Sequence, residues 1–388
     1  MTVRINKPEF NIREKLKELT QSIGLKGREL MRAATIQDAR DLVNAGRKNM
    51  VINGDMRIFQ RDNSGNVSNT STYFLDRFMV RNNCAGTIYV TSQQNNTSGP
   101  PGFRSWMLLQ CDGADTSVGS SDYVRIQQYV EGYNCFMDWG LAGGNTDHVS
   151  VSFWVKSNKT GTYCFNIEDG DALPVFCREY TIKNSDVWQK VELTIPPPTE
   201  GTWRGNDSNI GLRMTWTLMA GSGHPLNANT WNTSYGMRTD NQVNFMDDAN
   251  NNFYLTGVQM EVGKNATEFE YRTYGEELAL CQRYFYRYRL CNQEWIYNEG
   301  NGNSNKWHQF YIGHAMRPIG SIDVTDVTLG GSIGGLNGTI TSFAPQDPGH
   351  TPSRISSRVT MSTSGGTARY IYHYDGWNSD YISVSAEL

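Results

Sequence analysis

The residues that could do chemistry in this 388-residue chain sit on one alternating run. Tyr123, Arg125, Gln127 and Tyr129 are interleaved with Val124, Ile126 and Val130. A strand sends alternate side chains to opposite faces, so two phenol rings, a guanidinium and an amide share one side. Rings offer flat apolar area with a polar handle, and Arg and Gln add directed hydrogen bonds, a combination that suits a sugar ring. Trp154 points away from Val151, Phe153 and Val155 in the same manner, and Tyr372 and Tyr374 point away from Ile371. Trp377 lies in the turn-like sequence Asp375-Gly376-Trp377-Asn378-Ser379, which would hold an indole outward beside polar neighbours. Packing in a second sheet or between subunits is an equally good use for these rings, and both readings stand at this level.

Other chemistries find little support. H-E-x-x-H and G-x-x-x-x-G-K-[ST] do not occur. Gly330 to Gly335 is glycine-rich but lacks a following Lys-Ser/Thr, and reads as a loop. His308 and His314 would share a strand face, with no third ligand at a recognisable spacing. Glu168, Asp169 and Asp171 make an acidic turn that lacks the full ligand series of a calcium loop. No catalytic residue, metal or cofactor is therefore expected. The seven cysteines are widely spaced, odd in number and without a C-x-x-C, which reads as free thiols packed like small hydrophobes.

Strands must position these side chains. Charged residues are 19% and aromatics 12%, with 38 Gly and 20 Tyr, a composition for pleated surfaces and turns rather than helices. Val149, Val151, Phe153 and Val155 alternate with Ser150, Ser152, Trp154 and Lys156. Leu212, Met214, Trp216 and Leu218 alternate with Arg213, Thr215 and Thr217. No apolar run approaches the length of a membrane span, and the first thirty residues lack the apolar stretch of a secretory leader. The expected class is mainly β: a short helical arm over 1–48, a jelly-roll β-sandwich over 49–273, and a smaller β domain over 274–388. That last domain starts with a short helix near Tyr274 and has strands near 308–315, 322–329, 355–361 and 367–374, with 330–338 as a flexible connection. The arm holds 11 Lys or Arg against 6 Asp or Glu, a net of +5, which leaves −9 for 49–388 out of the chain's −4. Two short amphipathic helices cannot bury a core of their own, so the arm reads as an assembly element, too short and mixed in charge for nucleic acid.

Longer segments carry a resemblance. Asn49-Met50-Val51-Ile52-Asn53-Gly54-Asp55-Met56-Arg57-Ile58-Phe59-Gln60-Arg61, followed by Tyr73-Phe74-Leu75-Asp76-Arg77-Phe78, resembles the opening of bacteriophage tail-fibre and related virion proteins. Leu255-Thr256-Gly257-Val258-Gln259-Met260-Glu261-Val262-Gly263, then Ala266 to Arg272, is similar to the closing strand of the same module. Glu276 to Tyr284 is similar to the tract that follows it, and Met31 to Gly46 to the helices that precede it. The resemblance implies a jelly roll akin to carbohydrate-binding modules, without catalytic residues, in a protein that is typically a homotrimer. Its motif residues are expected to be fold determinants, a turn at Gly54 and a final strand ending at Gly263. On this basis the chain is expected in the virion as a tail fibre. It would be attached to other virion proteins through 1–48 and would bind a host cell-surface polysaccharide without chemistry or membrane insertion, mainly through the segment after 290. Net −9 on the body favours neutral sugars. A capsid-decorating or head-fibre protein and a surface-polysaccharide depolymerase are the alternatives.

Overall fold

Alternation becomes a two-sheet sandwich in the computed structural model. It describes residues 48–61, 64–93, 97–135, 137, 139, 147–171, 173–201, 203 and 207–289, and beyond them strands at 296–297, 305–311, 321–323, 330–333, 336–345 and 354–361 and the segment 381–387. The arm before 48, His314, the 367–374 strand, Tyr372, Tyr374 and Trp377 lie outside the described residues.

The strands in chain order are β1 (Ser64–Val67), β2 (Thr70–Leu75), β3 (Phe78–Asn83), β4 (Thr87–Gln93), β5 (Trp106–Gly113) and β6 (Tyr123–Glu131). Then follow β7 (Val149–Ser157), β8 (Gly161–Asp169), β9 (Val175–Ile182), β10 (Gln189–Ile195), β11 (Ile210–Ala220), β12 (Trp231–Asn232) and β13 (Asn252–Val262). Six of them form an antiparallel sheet in the order β1-β4-β5-β13-β7-β10, and seven form a second in the order β12-β9-β8-β11-β6-β3-β2. The apolar members of each alternation face each other. Val149, Val151, Phe153 and Val155 from one sheet meet Val124, Ile126, Leu212, Met214, Trp216 and Leu218 from the other in a single core. Trp216 is its centre, with the rings of Phe165, Phe153 and Phe78 at 5.1, 5.7 and 6.2 Å. Fully burying such rings supplies several kcal/mol each, which makes this contact the main reason the sheets adhere.

Residues of the Asn49–Arg61 stretch form a buried polar knot at one end of the sandwich. Asn49 Oδ1 accepts from the amides of Val51 (3.0 Å) and Met260 (3.1 Å), while its Nδ2 donates to the Val258 carbonyl. Asn53, at φ 61°, closes the Ile58 turn through both side-chain atoms and donates to the Asp76 carbonyl. Gly54 is there because a Cβ would stand 2.1 Å from the Val258 carbonyl oxygen. Arg272 Nη1 donates to the Val51 carbonyl and pairs with Glu277 at 3.3 Å. The segment after 48 and the last strand of the sandwich, β13, are thus tied by buried side-chain hydrogen bonds.

Helix α1 (Tyr274–Gln282) begins where the sequence implies. Thr273 and Glu276 form a reciprocal capping box, at 3.3 and 2.9 Å. It leads into β14 (Phe285–Arg289), which pairs with the last strand rather than with the strands that follow it. Those are β15 (Ile296–Tyr297), β16 (Asn305–Tyr311), β17 (Ser321–Asp323), β18 (Gly330–Ile333), β19 (Leu336–Pro345) and β20 (Arg354–Met361), and the last is β21 (Tyr381–Ser385). In sequence, the five strands of sheet β15-β16-β20-β19-β18 lie between β14 and β21, as does β17, which pairs with the other side of β21. Contacts join residues on both sides of position 273. Ile52, Ile58, Cys281 and Tyr284 make a small core, Ala386 donates to the Tyr284 carbonyl, and Arg61 and Arg77 both pair with Glu387. Residues 49–388 form one compact unit.

One expectation needs correction. Within the 330–338 stretch, expected as a flexible connection, Gly330–Ile333 pairs as β18 with the start of β19, Ile333 opposite Leu336 and Gly331 opposite Gly338. The stretch also spells G-x-S-x-G from Gly330 to Gly334. Ser332 lies inside β18 opposite Asn337, not at the strand-to-helix turn a nucleophile elbow requires.

Candidate functional site

The polar side of the alternation lies on the outer face of the seven-stranded sheet. Register builds it in rows: Arg81, Arg125, Thr217, Cys164 and Glu179 in one, and Met79, Gln127, Thr215, Asn166 and Cys177 in the next. Tyr129, Arg213, Glu168 and Val175 form a third. Cross-strand neighbours bond along the rows. Tyr129 donates its hydroxyl to Gln127 Oε1 at 3.4 Å, Gln127 Nε2 donates to Thr215 Oγ1 at 2.9 Å, and Thr215 donates to Glu168 Oε1 at 3.0 Å. Arg213 reaches over the end of this chain. Its Nη1 is 3.9 Å from Glu168 Oε2, its Nη2 donates to the Gly170 carbonyl at 2.8 Å, and its guanidinium lies 5.7 Å from the Tyr129 ring centre.

The loop after β11 covers the other end. Tyr235 and Met237 approach Arg125 Nη1 at 3.2 and 3.5 Å, and the Tyr123 ring stacks 4.7 Å from the same guanidinium. His224 stands edge-on to both Tyr123 and Tyr235. Asn166 Nδ2 and Thr217 Oγ1 both donate to the Met237 carbonyl, which fastens the loop to the sheet. Burial raises the Glu168 carboxyl above its ordinary range, with Arg125 and Arg213 pulling it back, and burial likewise raises the Tyr235 phenol.

The four residues of the β6 run divide into two kinds. Tyr123 and Tyr129 are half-buried at the rim, whereas Arg125 is only 4% and Gln127 only 1% exposed. Those two are floor, held under neighbouring side chains, where sequence alternation implies surface. Trp154 does not join them. It lies on the outer face of the other sheet, opposite Lys190 on β10 and Thr256 on β13, against Phe103 and Gly257. Alternation assigns a residue to a face of its strand and is silent on which sheet the strand enters. The sequence pattern places Glu168 in an acidic turn, marks Arg213 and Thr215 only as the polar partners of a strand's apolar residues, and does not single out Tyr235. The β11 alternation, with its polar members opposite Trp216, is the signal that could have found two of them.

The acidic turn is taken up by local bonds. Glu168 faces the outer sheet surface, while Asp169 Oδ1 accepts from the amides of Asp171 and Leu173, both at 2.9 Å. Among the described residues no group of three His, Cys, Asp or Glu is placed to hold a metal ion. Glu168 and Glu179 on this face are four residues apart along adjacent strands.

No protein-family model and no curated protein sequence matches the chain. Among solved structures, it is similar to the enzymatically active domain of bacteriophage CBA120 tailspike protein 4, at 12% identity and a TM-score of 0.29, over 55% of this chain and 21% of that one. It is also similar to TmCBM61 in complex with beta-1,4-galactotriose, at 11% identity and 0.26, over 48% of this chain and 88% of that one. A putative sugar-binding protein from Bacteroides thetaiotaomicron matches at 12% identity and 0.31, over 56% of this chain and all of that one. The chain spans about a fifth of the tailspike.

Proposed function

We propose that the protein is a non-catalytic glycan-binding component of a phage virion, a tail fibre that recognises a host cell-surface polysaccharide as a homotrimer. One observation carries the binding half of this reading. Tyr129, Tyr123 and Tyr235 rim a face whose floor, Gln127, Thr215 and Glu168, is fixed in place by its own hydrogen bonds. Rings above immobilised donors and acceptors make a site that loses little entropy when it takes a sugar. The virion half rests on the tail-fibre resemblance of Asn49–Arg61 and Tyr73–Phe78, which build the polar knot of the fold. Threefold avidity would strengthen weak single sites.

Two experiments test it. The full chain, screened against surface polysaccharides, is expected to bind without releasing reducing sugar, and Tyr129→Ala is expected to weaken that binding. Reducing-sugar release would favour the depolymerase. Antibody labelling of purified virions is expected at the tail, and label on the capsid would favour the decoration protein.

A further inference from the structure

The half of the same face built by strands β3, β6 and β11 carries three arginines. Register puts Arg81 directly opposite Arg125, and like charges at opposed positions repel. Arg125 is almost wholly buried, yet among the described residues its guanidinium has no carboxylate within ion-pair distance. Its partners are the Tyr235 hydroxyl, the Met237 sulfur and the Tyr123 ring, and its Nε has no hydrogen-bond partner. Arg213 Nε is likewise without one. The acids nearby do not balance these charges. Glu168, bonded to Thr215, is shared between Arg125 and Arg213, whose charges both favour its ionised form, and Glu179, across the sheet on β9, accepts from Thr239 and Asn241. One carboxylate set against two guanidinium groups leaves positive charge on this face, and buried charge that is not fully paired is costly unless an anion answers it. Tyr235, bonded to Arg125, is 42% exposed, so this guanidinium lies just beneath the surface.

We infer that this face takes an acidic glycan, a sugar bearing a carboxylate, with Arg125 as the anchor for the anion and Arg81 beside it. The inference rests on the glycan-binding reading above and replaces the neutral sugar that the body's net charge favours. A guanidinium matches a planar carboxylate through two parallel N–H bonds, a fit it cannot make to an uncharged hydroxyl. Net charge acts over the whole surface and is screened beyond about 8–10 Å, whereas these arginines act at contact.

The test titrates the full-length protein with oligosaccharides of the galacturonate, glucuronate and mannuronate series, each paired with its carboxyl-reduced form, and with a sulfated neutral oligosaccharide. At least one acid is expected to bind tenfold or more tighter than its reduced partner, and the preference should shrink as sodium chloride rises. Arg125→Gln is expected to abolish the preference and Arg81→Gln to reduce it. Should Arg125→Gln fail to fold, the wild-type comparison and Arg81→Gln still decide. Equal binding of acid and reduced forms, an unchanged preference in the variants, or binding of the sulfated sugar alone overturns the carboxylate assignment and leaves the glycan reading intact. Silence from every acidic and neutral sugar, including the surface polysaccharides, overturns both.

Discussion

Glu387→Ala tests whether the last strand fastens the fold or merely lies on it. The Glu387 carboxylate answers two cations, Arg77 Nη1 and Arg61 Nη2, the latter at 2.9 Å. Arg61 has a second acid, Asp76, at 2.7 Å, and stacks over the Phe285 ring at 3.7 Å, so it tolerates the loss. Arg77 has none. Its side chain is 1% exposed, and it would retain one neutral acceptor, the Tyr129 carbonyl at 2.6 Å, and the Tyr284 ring at 3.6 Å. Removing one partner of a buried ion pair costs about 3–5 kcal/mol. The retained contacts and the 8% exposure of Glu387 put this case at the lower end, about 3 kcal/mol. At roughly 2–4 °C per kcal/mol for a unit of this size, the melting temperature should fall by about 6–12 °C.

Thermal and urea unfolding of the purified variant at pH 7 measures it. Glu387→Gln, which keeps an acceptor but not the charge, should fall between wild type and Ala. Arg77→Met with Glu387→Met should recover part of the loss, because two apolar chains leave no stranded charge. A drop under about 2 °C for Glu387→Ala would refute the reasoning, since an exposed pair costs no more than that.

Four further outcomes follow from the same contacts. Burial pushes Asp55 and Asp76 up to about 6, so the folded state holds their protons more tightly than the unfolded chain; their contribution is present below pH 4 and lost as pH rises through 6, up to about 3 kcal/mol each. Melting temperature should therefore fall between pH 5 and pH 7, and Asp76→Asn should flatten the slope. Arg289 and Tyr381 are partners at the ends of β14 and β21, so replacing 290–380 with a two-residue turn should leave a folded protein that still binds glycan at the outer face, as circular dichroism and titration would report. Tyr129→Ala should reduce glycan affinity about tenfold with stability within about 1 kcal/mol, because its ring is half-buried and its hydroxyl bond is long. Gly257→Ala should destabilise by more than about 1 kcal/mol, because φ is 61° and the new methyl would stand 2.7 Å from the Phe103 ring, a change that calorimetry would detect.

What was legible in the sequence is what period two encodes. Val149, Val151, Phe153 and Val155, and Leu212 to Leu218, declare their core faces by alternation alone, and both sets are buried as that pattern requires. The capping box at Thr273 and Glu276 is equally local. What was not legible depends on contacts between distant positions. Glu387 meets Arg77 across 310 residues, and Arg272 meets Val51 across 221. No window of sequence joins such pairs. The division of the β6 run into rim and floor has the same origin, because Arg125 is buried by Tyr235 and Met237 from a loop more than a hundred residues away. The stretch Gly221 to Thr233 reads as an interruption between strands, and it opens the loop that roofs one end of the face.

Net charge meets the same limit from another side. Residues 49–388 sum to −9, and a sum has no address. Many of the acids behind that sum are tied to specific partners. Asp76 and Glu387 hold Arg61 and Arg77, Glu131 holds Arg283 and Tyr284, and Glu277 holds Arg272 and the Asn53 amide. These pairs tie the 49–61 segment, α1 and the last strand to the sandwich, and their charges are already matched. The arginines left on β3 and β6 therefore set the potential where a ligand would lie, in spite of the total. Selectivity for an anion in an acidic protein is then a matter of which charges folding has already matched. Arg125 and Arg213 share one carboxylate, Glu168, and that shortfall is where a ligand's anion would act.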